Sequence, residues 1–205
     1  MPHAIIYDCE FLTAPGAPQR FWNGPTDPDP VIAQIGAAKL SLAGDFAIAE
    51  TLRLHVIPRG RDGARLALDP LFIHLTGITE ERLDAEGLDL LAALARLDAF
   101  AEGARLWSWG KDELNMIAVS CWIAGVPAPM PPRRFANACD LVLRAGMPMD
   151  DVHKTRSNTL SAYYGVEHPP LRGHDGLDDA LSVAYAVQHL LRTGALTPAA
   201  FDPAH

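Results

Sequence analysis

Apolar residues run almost unbroken through "AIIYDC" (4–9) and "VIAQIGAAKL" (31–40), and return in looser alternation through "ETLRLHVI" (50–57). Runs of that length, rich in Ile and Val and flanked by Pro, Gly and Asp, predict strands at about 3–9, 31–41 and 50–57 that pair as an antiparallel meander. The period then changes. In "GLDLLAALARLDAFAEG" (87–103), Leu88, Leu91, Leu94 and Leu97 recur every third residue, which predicts a helix with those leucines on its core stripe and Gly103 near its end. "ARLWSW" (104–109) predicts a further strand, and helices are expected at about 112–124, 137–145, 157–164 and 177–192. A meander followed by alternating helices and strands implies an α/β chain, with a mixed sheet covered by helices on both faces.

Two stretches break the pattern. Residues 13–30, "TAPGAPQRFWNGPTDPDP", hold five prolines and no periodicity, so a long loop joins the first two strands. Loops beyond about 12–15 residues are usually functional or disordered. This one starts beside Glu10 and carries Arg20, Phe21 and Trp22, so it reads either as a lid stacking on a base or as aromatics packed onto the body. Residues 126–134, "VPAPMPPRR", form a Pro-rich connector ending in Arg133 and Arg134, a pair that either touches phosphate or is simply solvated.

Composition narrows the function classes. A chain of 205 residues, 49% hydrophobic and 20% charged, buries one good core and is expected to be a single domain over 1–205. No apolar run approaches the roughly 18 residues of a membrane span, and no signal-peptide pattern opens the chain, so the cytoplasm is the expected compartment. Cys9, Cys121 and Cys139 form no C-x-x-C pair and read as small core residues. A net charge of −8 argues against a broad basic surface for long nucleic acid. A nucleic-acid end gripped locally, with cations supplying positive charge, remains compatible with it.

The candidate chemistry begins with "YDCEF" (7–11). Side chains on a strand alternate faces, so Asp8 and Glu10 point the same way, and two crowded carboxylates are unfavourable unless a divalent cation sits between them. "LWSWGKDELNMI" (106–117) runs from a strand into a helix with Asp112 near its first turn, and Glu113 beside it is the alternative ligand if the register is one residue off. An acid there also complements the helix dipole. "GHDGLDDALSVAYAV" (173–187) places His174 five residues before Asp179 at the entrance of the last long helix; Asp178 is adjacent, but the offset favours Asp179. Gln34 on the second strand is given no role.

Taken together, Asp8, Glu10, Asp112, His174 and Asp179 resemble the signature of the DEDDh family of 3′-to-5′ exonucleases, in order along nearly the whole chain, with "LTGIT" (75–79) as a further similar segment. The resemblance implies an RNase H-like fold and two Mg²⁺ or Mn²⁺ ions per active site. It implies that Asp8 bridges both ions, that Glu10 and Asp179 complete one site, and that Asp112 supports the other, directly or through water. His174 would be the general base, and imidazole suits that role because its ordinary pKa lies near working pH. Phe11 and Thr13 would lie against the terminal nucleotide, with Phe11 equally readable as core, while Trp22 is a candidate contact only through the reading of its loop as a base-stacking lid. The implied partners are 3′ ends of single-stranded RNA or DNA, RNA slightly favoured, and no membrane. The alternatives are a noncatalytic nucleic-acid-binding domain on the same fold or another metal-dependent phosphohydrolase.

Overall fold

The structure, a computed structural model, describes residues 2–202. β1 (His3–Phe11), β2 (Ile32–Ser41) and β3 (Ile48–Val56) form the expected meander. Then come α1 (Pro70–Thr76), α2 (Glu80–Glu86), the two-residue strand β4 (Gly87–Leu88), α3 (Leu90–Ala101), β5 (Leu106–Ser108) and α4 (Asp112–Ala124). β6 (Phe135–Asn137), α5 (Ala138–Arg144), α6 (Met149–Lys154), α7 (Leu160–Tyr163) and α8 (Gly176–Arg192) complete the order. The sheet runs β4-β3-β2-β1-β5-β6. β1 pairs antiparallel with β2, and β2 with β3; the β1–β5, β5–β6 and β3–β4 pairs are parallel.

The unbroken apolar run of β1 is explained by burial on both faces. Ala4 and Ile6 pack with Ala38, Val183 and Val187 under α8, while Ile5 and Tyr7 pack with Leu94, Leu97 and Ile117 of α3 and α4. A third apolar group joins Leu12 and Val31 to Phe72, Ile78, Leu83 and Ile123, seating α1 and α2 beside the carboxyl end of β1. No helix among the described residues is long and apolar enough to cross a membrane.

The expected helix over 87–103 needs correction. Gly87 and Leu88 pair with His55 and Val56 as β4, and the helix begins only at Leu90. Its buried face is Ala93, Leu94, Leu97 and Ala101, whereas Leu91 is 43% exposed. Strict three-residue spacing drifts around a helix of 3.6 residues per turn, so the leucine count misplaced the stripe. The pattern also missed α1, α2, α6 and β6, each 7 residues or fewer and too short to show a period. Cap residues marked two of them: Asp69 accepts a hydrogen bond from Leu71 N at 2.8 Å, and Thr79 from Arg82 N at 3.3 Å.

Candidate active site

The alternation of β1 puts Asp8 and Glu10 on the face covered by α8. The β1–β2 ladder shifts register between Glu10 and Phe11, an irregularity of a kind common next to functional sites. α8 comes unusually close because Gly36, the partner of Asp8 in the ladder, has no side chain: a Cβ there would lie 2.0 Å from Leu177 N. Gln34 fixes the same helix end, its Oε1 accepting from Gly176 N at 2.6 Å. Asp175 caps the helix, accepting from Leu177 N and Asp178 N. This seat brings Asp179 over β1, while Asp178 is turned away to Arg53 at 3.1 Å and to Arg172 N at 2.8 Å.

Four carboxylates meet here. Asp8 is 6% exposed, Asp179 5% and Glu113 7%, with Glu10 half-buried. Burial, then the neighbouring Glu113, Glu10 and Asp179, raises the Asp8 carboxyl well above its usual range. Burial and Asp179 push Glu10 up to about 8. Burial likewise pushes Glu113 and Asp179 each to about 7. Among the described residues, Glu113 Oε2 and Asp179 Oδ1 are buried with no hydrogen-bond partner. One donor atom each from Glu10, His174 and Asp179 lies within 4.8 Å of the others. Orphaned carboxylate oxygens and mutually destabilising negative charge are what a divalent cation relieves, so this donor set fits one.

The α4 register agrees with the expectation, with Asp112 the first helical residue, yet the two acids part company. Asp112 is exposed and lines the cleft, while Glu113 turns inward beside Asp8, near Ser108. Glu113 therefore joins the buried cluster, a placement that two adjacent acids in a sequence do not reveal. His174 sits at the mouth in a left-handed conformation, φ +61°, and its backbone N–H donates to Asp179 Oδ2 at 3.3 Å. Its loop is strapped down by Arg172, whose guanidinium donates to the carbonyls of Leu75 and Thr76 at the end of α1.

The cleft has a volume of about 400 Å³ and is lined by Glu10, Asp112 and His174 together with Phe11, Trp22 and Phe72. Thr13 and Arg156 also face it. Trp22 meets Phe11 edge-on at 5.4 Å between ring centroids and donates its indole N–H to the Leu12 carbonyl at 2.9 Å. Arg156 and Arg172 were missed from the sequence because a single arginine in a polar loop carries no pattern. Of the connector's basic pair, Arg134 is committed elsewhere, donating to Asp98 and to the Ala104 carbonyl. Cys9 and Cys121 are buried and Cys139 half-buried, all as free thiols.

No protein-family model matches this chain, and no curated protein matches its sequence. Solved structures do match it. The nuclease domain of 3′hExo, a DEDDh family member bound to rAMP, aligns at TM-score 0.72 and 18% identity, over 94% of this chain and 93% of that one. A 3′-exonuclease in 3′-end-specific recognition of a histone mRNA stem-loop aligns at 0.73 and 19%, over 95% of this chain and 83% of the other. E. coli Exonuclease I in complex with a dA16 oligonucleotide aligns at 0.59 and 19%, covering 98% of this chain but 42% of that one. The chain thus has the RNase H-like fold of DEDDh-type 3′-exonucleases.

Proposed function

We propose that the protein is a metal-dependent 3′-to-5′ exonuclease, which hydrolyses the terminal phosphodiester of single-stranded nucleic acid and releases nucleoside 5′-monophosphates. The observation that carries this reading is the convergence of Asp8, Glu10, Glu113 and Asp179 beneath an aromatic-walled cleft with a histidine at its mouth. A module that only binds nucleic acid gains nothing from burying like charges together. The fold shared with 3′-exonucleases supports the reading, and the rAMP, histone mRNA and dA16 of those structures support RNA or DNA as the substrate class.

Asp8, Glu10 and Asp179 would hold the cations, with Asp112 and Glu113 flanking them. Bound there, Mg²⁺ or Mn²⁺ would offset the negative charge that develops on the attacking and leaving oxygens. The aromatic walls, Phe11 and Trp22, position the terminal nucleoside, and Thr13 lies beside them. His174 takes a proton from the attacking water as its oxygen bonds to phosphorus. The P–O3′ bond breaks with its electron pair on O3′, which takes a proton from solvent and becomes the new 3′ hydroxyl.

The test compares linear and circular single-stranded RNA and DNA of equal length with Mg²⁺ or Mn²⁺. The proposal expects stepwise shortening of the linear substrates alone, slowed sharply by a 3′ phosphate. Internal cutting of the circle at a comparable rate would overturn it.

A further inference from the structure

Phe21 is 79% exposed, the most exposed of the large apolar side chains among the described residues. Neither its backbone nor its surroundings make that cheap. Phe21 and Trp22 are consecutive left-handed residues, φ +54° and +52°, a conformation bulky side chains rarely adopt and one that tends to accompany function. The segment is nonetheless firmly held. Arg20 makes two hydrogen bonds to Asp27, the Asn23 amide donates to the Phe21 carbonyl at 2.9 Å, and the Trp22 indole is tied to Leu12. A hydrogen-bonded loop therefore presents a flat apolar ring to water, one residue from a wall of the cleft.

We infer that Phe21 is a stacking platform for the base of a nucleotide on the 5′ side of the terminal one. The inference rests on the nuclease reading and extends its substrate site beyond the cleft. The cleft, about 400 Å³, is near the lower end of the 300–1,000 Å³ usual for small-ligand pockets, so it suits a terminal unit and leaves the preceding ones outside. Those preceding nucleotides meet a protein of net charge −8, where phosphate attraction is weak. Stacking on an aromatic face is a sequence-tolerant grip that needs no positive charge, and a backbone already held in place lowers the entropy lost on binding. Continuity with Trp22 and Phe11 favours a nucleic-acid strand over other occupants of the exposed ring.

The test uses the full chain and Phe21→Ala, Phe21→Leu and Phe21→Tyr. Two substrates are compared, a p-nitrophenyl ester of a nucleoside 5′-monophosphate, which fills only the terminal position, and a single-stranded decanucleotide. The ratio of kcat/KM for the decanucleotide to that for the ester should fall about 5- to 150-fold in the Ala and Leu variants, the equivalent of 1–3 kcal/mol per stacked base. Phe21→Tyr, which restores a flat ring, should keep the ratio. Decanucleotide affinity by fluorescence anisotropy in Ca²⁺ should fall by a similar factor. An unchanged ratio and affinity would overturn the inference, as would Phe21→Leu behaving like wild type, since that would mean plain apolar contact. A wild-type dimer that dissociates in Phe21→Ala would assign the ring to a second copy and also overturn it. If wild type cleaves neither substrate, the exonuclease reading fails, and the affinity measurement alone then decides on the platform.

Discussion

At the scale of single residues, the buried acids around Asp8 make the stability of the fold depend on pH. A carboxyl whose folded pKa is raised above its unfolded value near 4 holds its proton longer in the folded state. That contribution to stability is whole below about pH 4 and is lost as pH rises through the folded values, about 7 for Asp179 and about 8 for Glu10. Asp179→Asn should therefore stabilise the metal-free protein at pH 8, on the order of 1–3 kcal/mol, with little effect at pH 4. Urea unfolding in chelator at both pH values measures this, and the same variant should lose turnover by at least 10³-fold. His174 lies where it could either ligate a cation or accept a proton. As a general base, His174→Ala should lower kcat about 10²- to 10⁴-fold while calorimetric affinity for Mn²⁺ stays unchanged. Parallel loss of metal affinity, rescued by excess Mn²⁺, would make it a ligand instead. Strand alternation alone placed Asp8 and Glu10 on one face, whereas His174 and Asp179 were singled out by the resemblance to a known signature, because His174 lies in a loop whose direction no periodicity gives. Glu113 was legible only as an alternative, since which of two adjacent acids turns inward depends on how α4 docks against β1.

At the scale of elements, the site depends on how closely α8 approaches β2. Gly36→Ala would put a methyl group into the backbone of Leu177, and backbone cannot yield as a flexible side chain would. The expected cost is on the order of 3 kcal/mol. Because Asp179 rides on the displaced helix, the fraction that still folds should turn over about 10²-fold more slowly, the penalty of roughly 1 Å misplacement. Chemical denaturation and active-site-normalised rates check the two parts separately. Strands β1 to β3 and helix α8 could be read from the chain because long buried runs and an amphipathic stretch leave a period, whereas α4 has little amphipathic character and was placed by the Pro-rich segment that follows it. The short α1, α2 and α6, and β4 and β6 with 2 and 3 residues, are held by partners distant in sequence and leave none. The Gln34 to Gly176 contact, 142 residues apart, was invisible for the same reason.

At the scale of the whole molecule, a chain of net charge −8 that concentrates buried acids at one end of its central strand should be tuned by divalent cations. Mg²⁺ or Mn²⁺ competes with protons for the same carboxylates, so it should raise the Tm more at pH 8 than at pH 5. At a hundredfold excess over Kd the gain is about 2.7 kcal/mol. Thermal unfolding with and without metal at the two pH values reads it, and an equal shift at both would argue against binding at these acids. The measurement that bears most directly on the central claim is the fate of the water oxygen. A 5′-labelled single-stranded oligonucleotide with a free 3′ hydroxyl is digested in ¹⁸O water with Mg²⁺, and the products are analysed by mass spectrometry. The account predicts a ladder shortening from the 3′ end, one ¹⁸O in each released nucleoside 5′-monophosphate, and none of either with Asp8→Asn. Release of nucleoside 3′-phosphates, label-free products, or full activity in Asp8→Asn would contradict it.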